Sequence, residues 1–353
     1  MPYQENKDFY ILLKKIDFCF EKGLPFSIYR KPSEDHVKGI FQSNDQLHTT
    51  IDFRERGFVF APFVLDSNAV LITADEVNTV SFEAESQPTS DKLVPSDLGK
   101  DIHLNLVKKG IDKIGKGVLK KVVLSRKVDV KHSRKATDIF RSLLESYPNA
   151  FCYLFFHPAV GIWCGATPET LLAIKGKQLK TMSLAATLPF EEGVRPNWGS
   201  KEIEEQEMVS SYIEERLSKN LKRLDIGTAK AIKAGGLWHL KSEIKGVLSE
   251  DSSVEEIIST LHPTPAICGI PMDAAKDFIL ANENYSRSFY TGFLGELNLN
   301  EGKEAHLFVN LRCMELTEGN ASIFVGGGIT SASNPENEWT ETQNKSKTML
   351  KVL

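Results

Sequence analysis

Short apolar strands collected into groups, with helical stretches between the groups, are the feature that most narrows what this chain can fold into. A helix-patterned stretch at 101–116 leads into an apolar run at 121–130, and a second at 137–146 leads into 151–156. Runs at 160–164, 170–175 and 178–184 follow directly, the last two joined across Gly176, and predict an antiparallel meander. Runs at 291–297, 306–316 and 322–325, with turns at Glu301-Gly302 and Glu318-Gly319-Asn320, predict a second. Helical regions at about 200–224 and 271–280 separate the meanders. Strands gathered in runs predict an α+β fold rather than a parallel doubly wound sheet.

The first 95 residues are a loosely patterned lead-in with apolar runs at 57–61 and 69–72, and the Ser, Gln, Pro and Asp of 83–95 read as a linker or exposed loop. The expected division is an amino-terminal part at 1–95 and a catalytic part at 96–353. At 353 residues, 41% hydrophobic and 25% charged, the chain has the make-up of a soluble globular protein that buries a sizeable core. A formal charge of -4 gives no basic footprint for nucleic acid. No apolar run nears the ~20 residues of a membrane span, and 1–10 lack the apolar centre of a secretory signal. Cys19, Cys152, Cys164, Cys268 and Cys313 are too scattered for a zinc site and read as reduced thiols, so a cytoplasmic location is expected.

Two acidic clusters stand at predicted helix starts. After Ser200, a candidate cap, Glu202 and Glu205 fall three apart and share a face. After Asn334 and Pro335, a cap and a first helical residue, Glu338 and Glu341 do the same. Either cluster alone suits the positive end of a helix and can simply face water. Brought together, four carboxylates repel one another unless a cation sits among them, and all-oxygen ligation suits Mg2+. Lys345, four residues after Glu341, fits an ordinary helix pair.

Three more residues admit two readings each. Lys121 opens the strand Val122-Val123-Leu124; exposed, it is an ordinary edge lysine, and buried, it can serve as a general base. Glu169 follows the turn Gly165-Ala166-Thr167-Pro168, a common exposed position, whereas an apolar surrounding there makes a catalytic acid. Arg312 stands inside the predicted strand at 306–316, an expensive place for a guanidinium unless it meets an anion bidentately. Gly326-Gly327-Gly328 offers backbone N–H groups to a carboxylate, although most such runs are turns.

Taken in order, a set of stretches resembles the chorismate-binding enzymes, which include isochorismate, salicylate, anthranilate and aminodeoxychorismate synthases. They are Lys121-Val-Val-Leu-Ser-Arg126, Gly165-Ala-Thr-Pro-Glu-Thr-Leu-Leu172, Ser183-Leu-Ala-Ala-Thr187, Lys201-Glu-Ile-Glu-Glu205 and Trp238-His-Leu240. Leu261-His-Pro-Thr-Pro-Ala-Ile-Cys-Gly269, Tyr290-Thr-Gly292, Leu311-Arg312, Gly326-Gly-Gly-Ile329 and Glu338-Trp-Thr-Glu-Thr-Gln-Asn-Lys345 complete them, and together they cover about 95–353. The resemblance implies two packed antiparallel sheets flanked by helices, as in anthranilate synthase component I, with the cleft between the sheets. It implies that Lys121 activates water and Glu169 protonates the departing oxygen. Glu205 and Glu341 match direct Mg2+ ligands, with Glu202 and Glu338 in supporting positions. Tyr290, Arg312, Lys345 and the Gly326 to Gly328 backbone match groups that hold the carboxylates of chorismate, and His239 lines the same cleft.

Within the family, Ala266 occupies the position where the ammonia-using members have threonine, and His262-Pro-Thr-Pro-Ala266 resembles the isochorismate synthases of the menaquinone and siderophore type. Salicylate synthases, which form isochorismate and then eliminate pyruvate, are the alternative; an inactive chorismate-binding relative is the third. The resemblance also implies a monomer. Two residues depart from the pattern: Ala186 stands where the family has glycine, and Gly327 where it has alanine.

Overall fold

The computed structural model describes residues 6–65, 69–84, 95–234, 237–300 and 302–353. Helix α1 (Lys7–Lys22) precedes β1 (Phe26–Arg30), β2 (His36–Phe41), β3 (His48–Thr50), β4 (Gly57–Ala61), β5 (Ala69–Thr73) and β6 (Glu76–Ser81). Then come α2 (Lys100–Gly115), β7 (Lys121–Lys131), α3 (Ala136–Ser146), β8 (Phe151–His157), β9 (Gly161–Thr167), β10 (Thr170–Lys175) and β11 (Gln178–Pro189). Next are α4 (Ser200–Leu217), β12 (Leu221–Ile226), β13 (Lys230–Ala234), β14 (Leu237–Leu248), α5 (Val254–Leu261), β15 (Gly269–Ile270) and α6 (Met272–Asn282). The chain closes with β16 (Phe293–Leu297), β17 (Glu304–Val309), β18 (Cys313–Thr317), β19 (Asn320–Ile329) and α7 (Pro335–Leu350).

The strands form two antiparallel sheets. The first runs β15-β7-β19-β18-β9-β8-β1-β2-β6, and the second runs β12-β14-β11-β10-β17-β16-β4-β5-β3, with β13 beside β14. Both faces of each sheet are covered, which is why β4 and β8 read as near-continuous apolar runs instead of alternating. On β8, Phe151, Tyr153 and Phe155 enter the core between the sheets, while Cys152 and Leu154 face the layer that includes α1 and α3. On β4, Phe58 and Phe60 enter the same inter-sheet core, and Val59 and Ala61 face the layer containing α4 and α5. Aromatic stacks fill that inter-sheet layer, with Phe151 and Phe308 at 4.1 Å between ring centres and Phe60 and Phe289 at 4.3 Å.

The expected α+β architecture of two packed antiparallel sheets therefore holds, but the two meanders are not confined to one sheet each. Runs 160–164 and 170–175 fall in different sheets, and run 306–316 is two strands, β17 and β18, again in different sheets. The helix expected over 200–224 ends at Leu217, because 221–226 pair with β14 as strand β12. The lead-in supplies β1, β2 and β6 to one edge of the first sheet and β3, β4 and β5 to one edge of the second. Of the proposed linker at 83–95, residues 85–94 lie outside the described residues, as does Glu301. All five cysteines are buried free thiols. Among the described residues, no helix is long and apolar enough to cross a membrane.

Candidate active site

The chain changes sheet twice in one place. Pro168 and Glu169 link β9 of the first sheet to β10 of the second, and Asn310, Leu311 and Arg312 link β17 of the second back to β18 of the first. The crossings are bonded to one another's strands: Ala166 N donates to Arg312 O at 3.0 Å, and Val309 N donates to Glu169 O at 3.0 Å. Arg312 is thus not inside a strand, as the sequence suggests, but in a link with φ of 47°. That left-handed conformation costs an L-residue about 1–2 kcal/mol and turns its side chain out of either ladder.

Beside these crossings lies a cleft of about 790 Å3, counted to its open mouth. Glu169, His239, Ala266, Tyr290 and Arg312 line it, as do Gly326, Gly327, Gly328, Glu205, Glu341 and Lys345. Eleven of the fourteen residues singled out from the sequence therefore meet there. Lys121 sits behind Gly328 and Glu338 behind Gly327. Glu202 does not join them: its Oε2 accepts from Gly199 N at 2.9 Å, closing the cap of α4. Gly199, not Ser200, is the cap residue there, whereas Asn334 caps α7 as expected by accepting from Glu336 N and Asn337 N.

One wall is charged. Lys121 is fully buried, and its Nζ lies 2.8 Å from Glu205 Oε1. A Cβ at Gly328 would stand 2.6 Å from that same oxygen and 3.0 Å from Lys121 Cε. A Cβ at Gly327 would stand 3.3 Å from Glu338 Oε2 and 3.4 Å from Glu341 Oε1. Side chains at either glycine would occupy space these groups need, Gly328 that of Glu205 and Lys121 and Gly327 that of Glu338 and Glu341. Lys345 Nζ donates to Glu341 Oε1 at 2.6 Å and to Gly326 O at 2.9 Å, so the helix pair expected from the spacing forms inside the cleft. Pairing between β18 and β19 stops at Phe324, which leaves Gly326 to Gly328 without a strand partner on that edge. Glu205 and Glu341 both line the cleft and offer the oxygen donors that a hard divalent cation of the Mg2+ type takes, although among the described residues no three Asp, Glu, His or Cys side chains are gathered closely enough to hold an ion.

The other wall is neutral by burial. Glu169 is pushed up to about 8 by desolvation, against the pull of Lys121, Lys345 and Arg312, so its carboxyl keeps its proton at neutral pH. His239 is pushed down to about 3 by burial and by the nearby Arg312 and Lys345. A neutral imidazole fits its bonds: Nδ1 donates to Ala186 O at 2.9 Å, and Nε2 accepts from Arg312 Nη2 at 3.3 Å. Ala186 has φ of 61°, at a point where the β11–β14 ladder breaks register between Ala185 and Leu188. This bulge aims the Ala186 carbonyl at His239. The left-handed backbone explains why glycine suits this position in the family pattern.

Sequence reasoning missed the group that ties the walls together. Arg287 and Glu283, four apart at the end of α6 and just before Tyr290, form a buried ion pair with two contacts at 2.6 and 2.8 Å. Arg287 also donates to Val123 O at 2.7 Å, Ile267 O at 2.9 Å and Thr291 Oγ1 at 3.3 Å. Glu283 accepts from Ser125 N and Ser125 Oγ on β7. The pair thereby fixes the Lys121 strand, the turn bearing Ala266 and the segment bearing Tyr290. The i,i+4 spacing of opposite charges was the available signal.

The family model for chorismate-binding enzymes matches residues 66–353, and the chain belongs to that family. It is 30% identical over 269 residues to isochorismate synthase DhbC of Bacillus subtilis (strain 168), a match covering 70% of this chain and 67% of that protein. To isochorismate synthase EntC of Escherichia coli (strain K12) it is 33% identical over 246 residues, covering 66% of this chain and 62% of that protein. The crystal structure of DhbC from Bacillus anthracis superposes with a TM-score of 0.81 at 26% identity, covering 96% of this chain and 99% of that one. Anthranilate synthase component I from Streptococcus pneumoniae TIGR4 shares the fold, at a TM-score of 0.70 and 18% identity over 92% of this chain and 90% of that one.

Proposed function

We propose that the protein is an isochorismate synthase, converting chorismate to isochorismate with Mg2+, and that it acts as a cytoplasmic monomer. The observation that carries the reading is one cleft bordered by a buried lysine and a carboxylic acid that keeps its proton. Water adds at C2 of the ring, giving one proton to Lys121 acting as general base once its amine is free. The ring double bonds shift, and the C4 hydroxyl leaves with the proton of Glu169, so a water departs for the water that enters. Protons and atoms balance without any redox partner. Arg312, Lys345 and Tyr290 supply positive charge and a phenol to the carboxylates of the dianionic substrate. The neutral His239 leaves Arg312 its full charge for that task. Ala266 places only a methyl group in the cleft.

Glu205 and Glu341, with Glu338 behind Gly327, are the groups to hold Mg2+, with Glu202 outside that cluster unless the cap of α4 opens. Mg2+ held there would offset carboxylate charge and supply a Lewis acid to the substrate. The test is a chromatographic product assay with chorismate and Mg2+, run with and without a chelator and coupled to pyruvate detection. Isochorismate approaching equilibrium with chorismate, sensitive to chelator and free of stoichiometric pyruvate, is the expected result. Salicylate with matching pyruvate would move the protein to the salicylate synthases, and binding without turnover would make it an inactive chorismate-binding relative.

A further inference from the structure

A second, wider cleft of about 1790 Å3, counted to its open mouth, adjoins the first and shares Pro168 and Arg312 with it. Its lining carries Lys233, Lys347, Lys351 and Arg312 and, among the described residues, no carboxylate side chain. Four cations on one surface are unexpected in a chain whose formal charge is -4. Glu191 and Glu192 follow Phe190 on an exposed turn, and neither lines this cleft.

The cations come from three parts of the chain: β13, the link between β17 and β18, and the end of α7. Lys233, on β13, lies over the Phe190 ring at 3.6 Å from its centre. Lys347, in the last turns of α7, donates to Asn344 Oδ1 at 2.8 Å, and Lys351 follows the end of the same helix. All three lysines are exposed. Arg312 joins the two clefts: Nη1 donates to Thr348 Oγ1 at 3.3 Å on the outer side, and Nη2 to His239 on the inner side.

We infer that this outer cleft is the antechamber through which a dianionic substrate is drawn to the catalytic cleft, its carboxylate passing from the exposed lysines to Arg312. The inference rests on the proposed chorismate chemistry for its ligand. The catalytic cleft, where Glu205 and Glu341 face Lys121 and Lys345, offers an approaching anion little net attraction from a distance, whereas a basic approach surface raises the local anion concentration and the rate of encounter. Such an effect is largest where the Debye length, ~30 Å at 0.01 M salt, spans the cleft, and it fades at ~3 Å near 1 M.

The experiment is rapid-mixing measurement of chorismate association by protein fluorescence, from low to high salt. It compares the wild type with the Lys233→Gln, Lys347→Gln, Lys351→Gln triple variant. A control of equal charge change, Lys14→Gln, Lys177→Gln, Lys222→Gln, alters exposed lysines outside the cleft. The triple variant is expected to associate roughly 5- to 10-fold more slowly at low salt and to converge on the wild type at high salt, with the control matching the wild type throughout. Equal association rates for both variants, or a loss that salt does not erase, would overturn the antechamber. Binding without turnover would sink only the enzymatic reading, and absence of chorismate binding would overturn both. Thermal unfolding of both variants confirms that they fold, as replacement of exposed side chains leads one to expect.

Discussion

The two walls of the catalytic cleft solve opposite problems. On the wall built by α4, α7 and the end of β19, ammonium groups face the carboxylates of Glu205 and Glu341, and two glycines leave these groups the space of a side chain. On the wall built by the sheet crossings and the β11 bulge, burial leaves Glu169 and His239 uncharged, and strained backbone sets Arg312 and Ala186 in place. The same residue type, glutamate, is thus set against ammonium groups on one side and left with its proton by burial on the other. Pairing steadies a charge that burial would otherwise penalise, whereas desolvation without a partner keeps the proton on the carboxyl.

The largest effects test whether both walls are needed for chemistry. Lys121→Ala and Glu169→Gln should each lower turnover by roughly 10²- to 10⁴-fold, the usual contribution of general acid–base catalysis, with circular dichroism showing an intact fold. Turnover close to wild type in either variant breaks the assignment of that wall.

Next in size are the glycines of the charged wall. Gly328→Ala drives a methyl into the Lys121–Glu205 pair, and Gly327→Ala brings one only to the edge of contact with Glu338 and Glu341. Initial rates should fall roughly 10-fold or more for the first, given contacts inside 3.0 Å, and only a few-fold for the second. Equal rates for the two would show that space behind the carboxylates is not limiting.

The neutral wall has a pH signature. The folded carboxyl of Glu169 titrates near 8, above its unfolded value of 4.5, so its contribution to stability is fully present below 4.5 and lost as pH rises through 8. Glu169→Gln should therefore gain stability relative to wild type as pH rises from 4.5 to 8, by up to about 1.4 kcal/mol per pH unit in urea unfolding. Wild-type turnover should also fall above pH 8 as the acid ionises. His239 runs the other way: its folded value near 3 lies below its unfolded 6.5, so its contribution is fully present above 6.5 and lost as pH falls through 3.

The smallest effect concerns Ala186. Glycine accepts φ of 61° without strain, so Ala186→Gly should raise the unfolding midpoint by ~1–3 °C, less than the full strain because glycine gains entropy when unfolded. A lowered midpoint in a thermal scan would show that the Ala186 methyl stabilises its surroundings by more than its backbone costs.

What was legible in the sequence follows from which forces are local. Capping of α7 by Asn334 and the i,i+4 pair of Glu341 and Lys345 depend on near neighbours, and they stand as expected, whereas β12, β13 and β14 lie where only helical regions are expected between the meanders. Glu202 shares a face with Glu205, and the resemblance implies a supporting position for it beside the metal, but a local hydrogen bond from Gly199 N engages it. The change of sheet within 306–316 was not legible, since both halves are apolar and periodicity carries no record of which sheet a strand joins. Nor was the role of Arg287, whose partners Val123, Ile267 and Thr291 are brought to it only by the finished fold.

The paired crossings at Glu169 and Arg312 also couple the site to the sandwich. Each crossing is anchored in both sheets, so a sliding displacement of one sheet over the other carries the acid and the guanidinium along together, and their spacing survives motions that would misalign groups held by one sheet each. Phe308 lies two residues before the second crossing begins, and its stack on Phe151 acts as a brake on that shear. The catalytic register is therefore kept partly by an aromatic contact that touches no substrate.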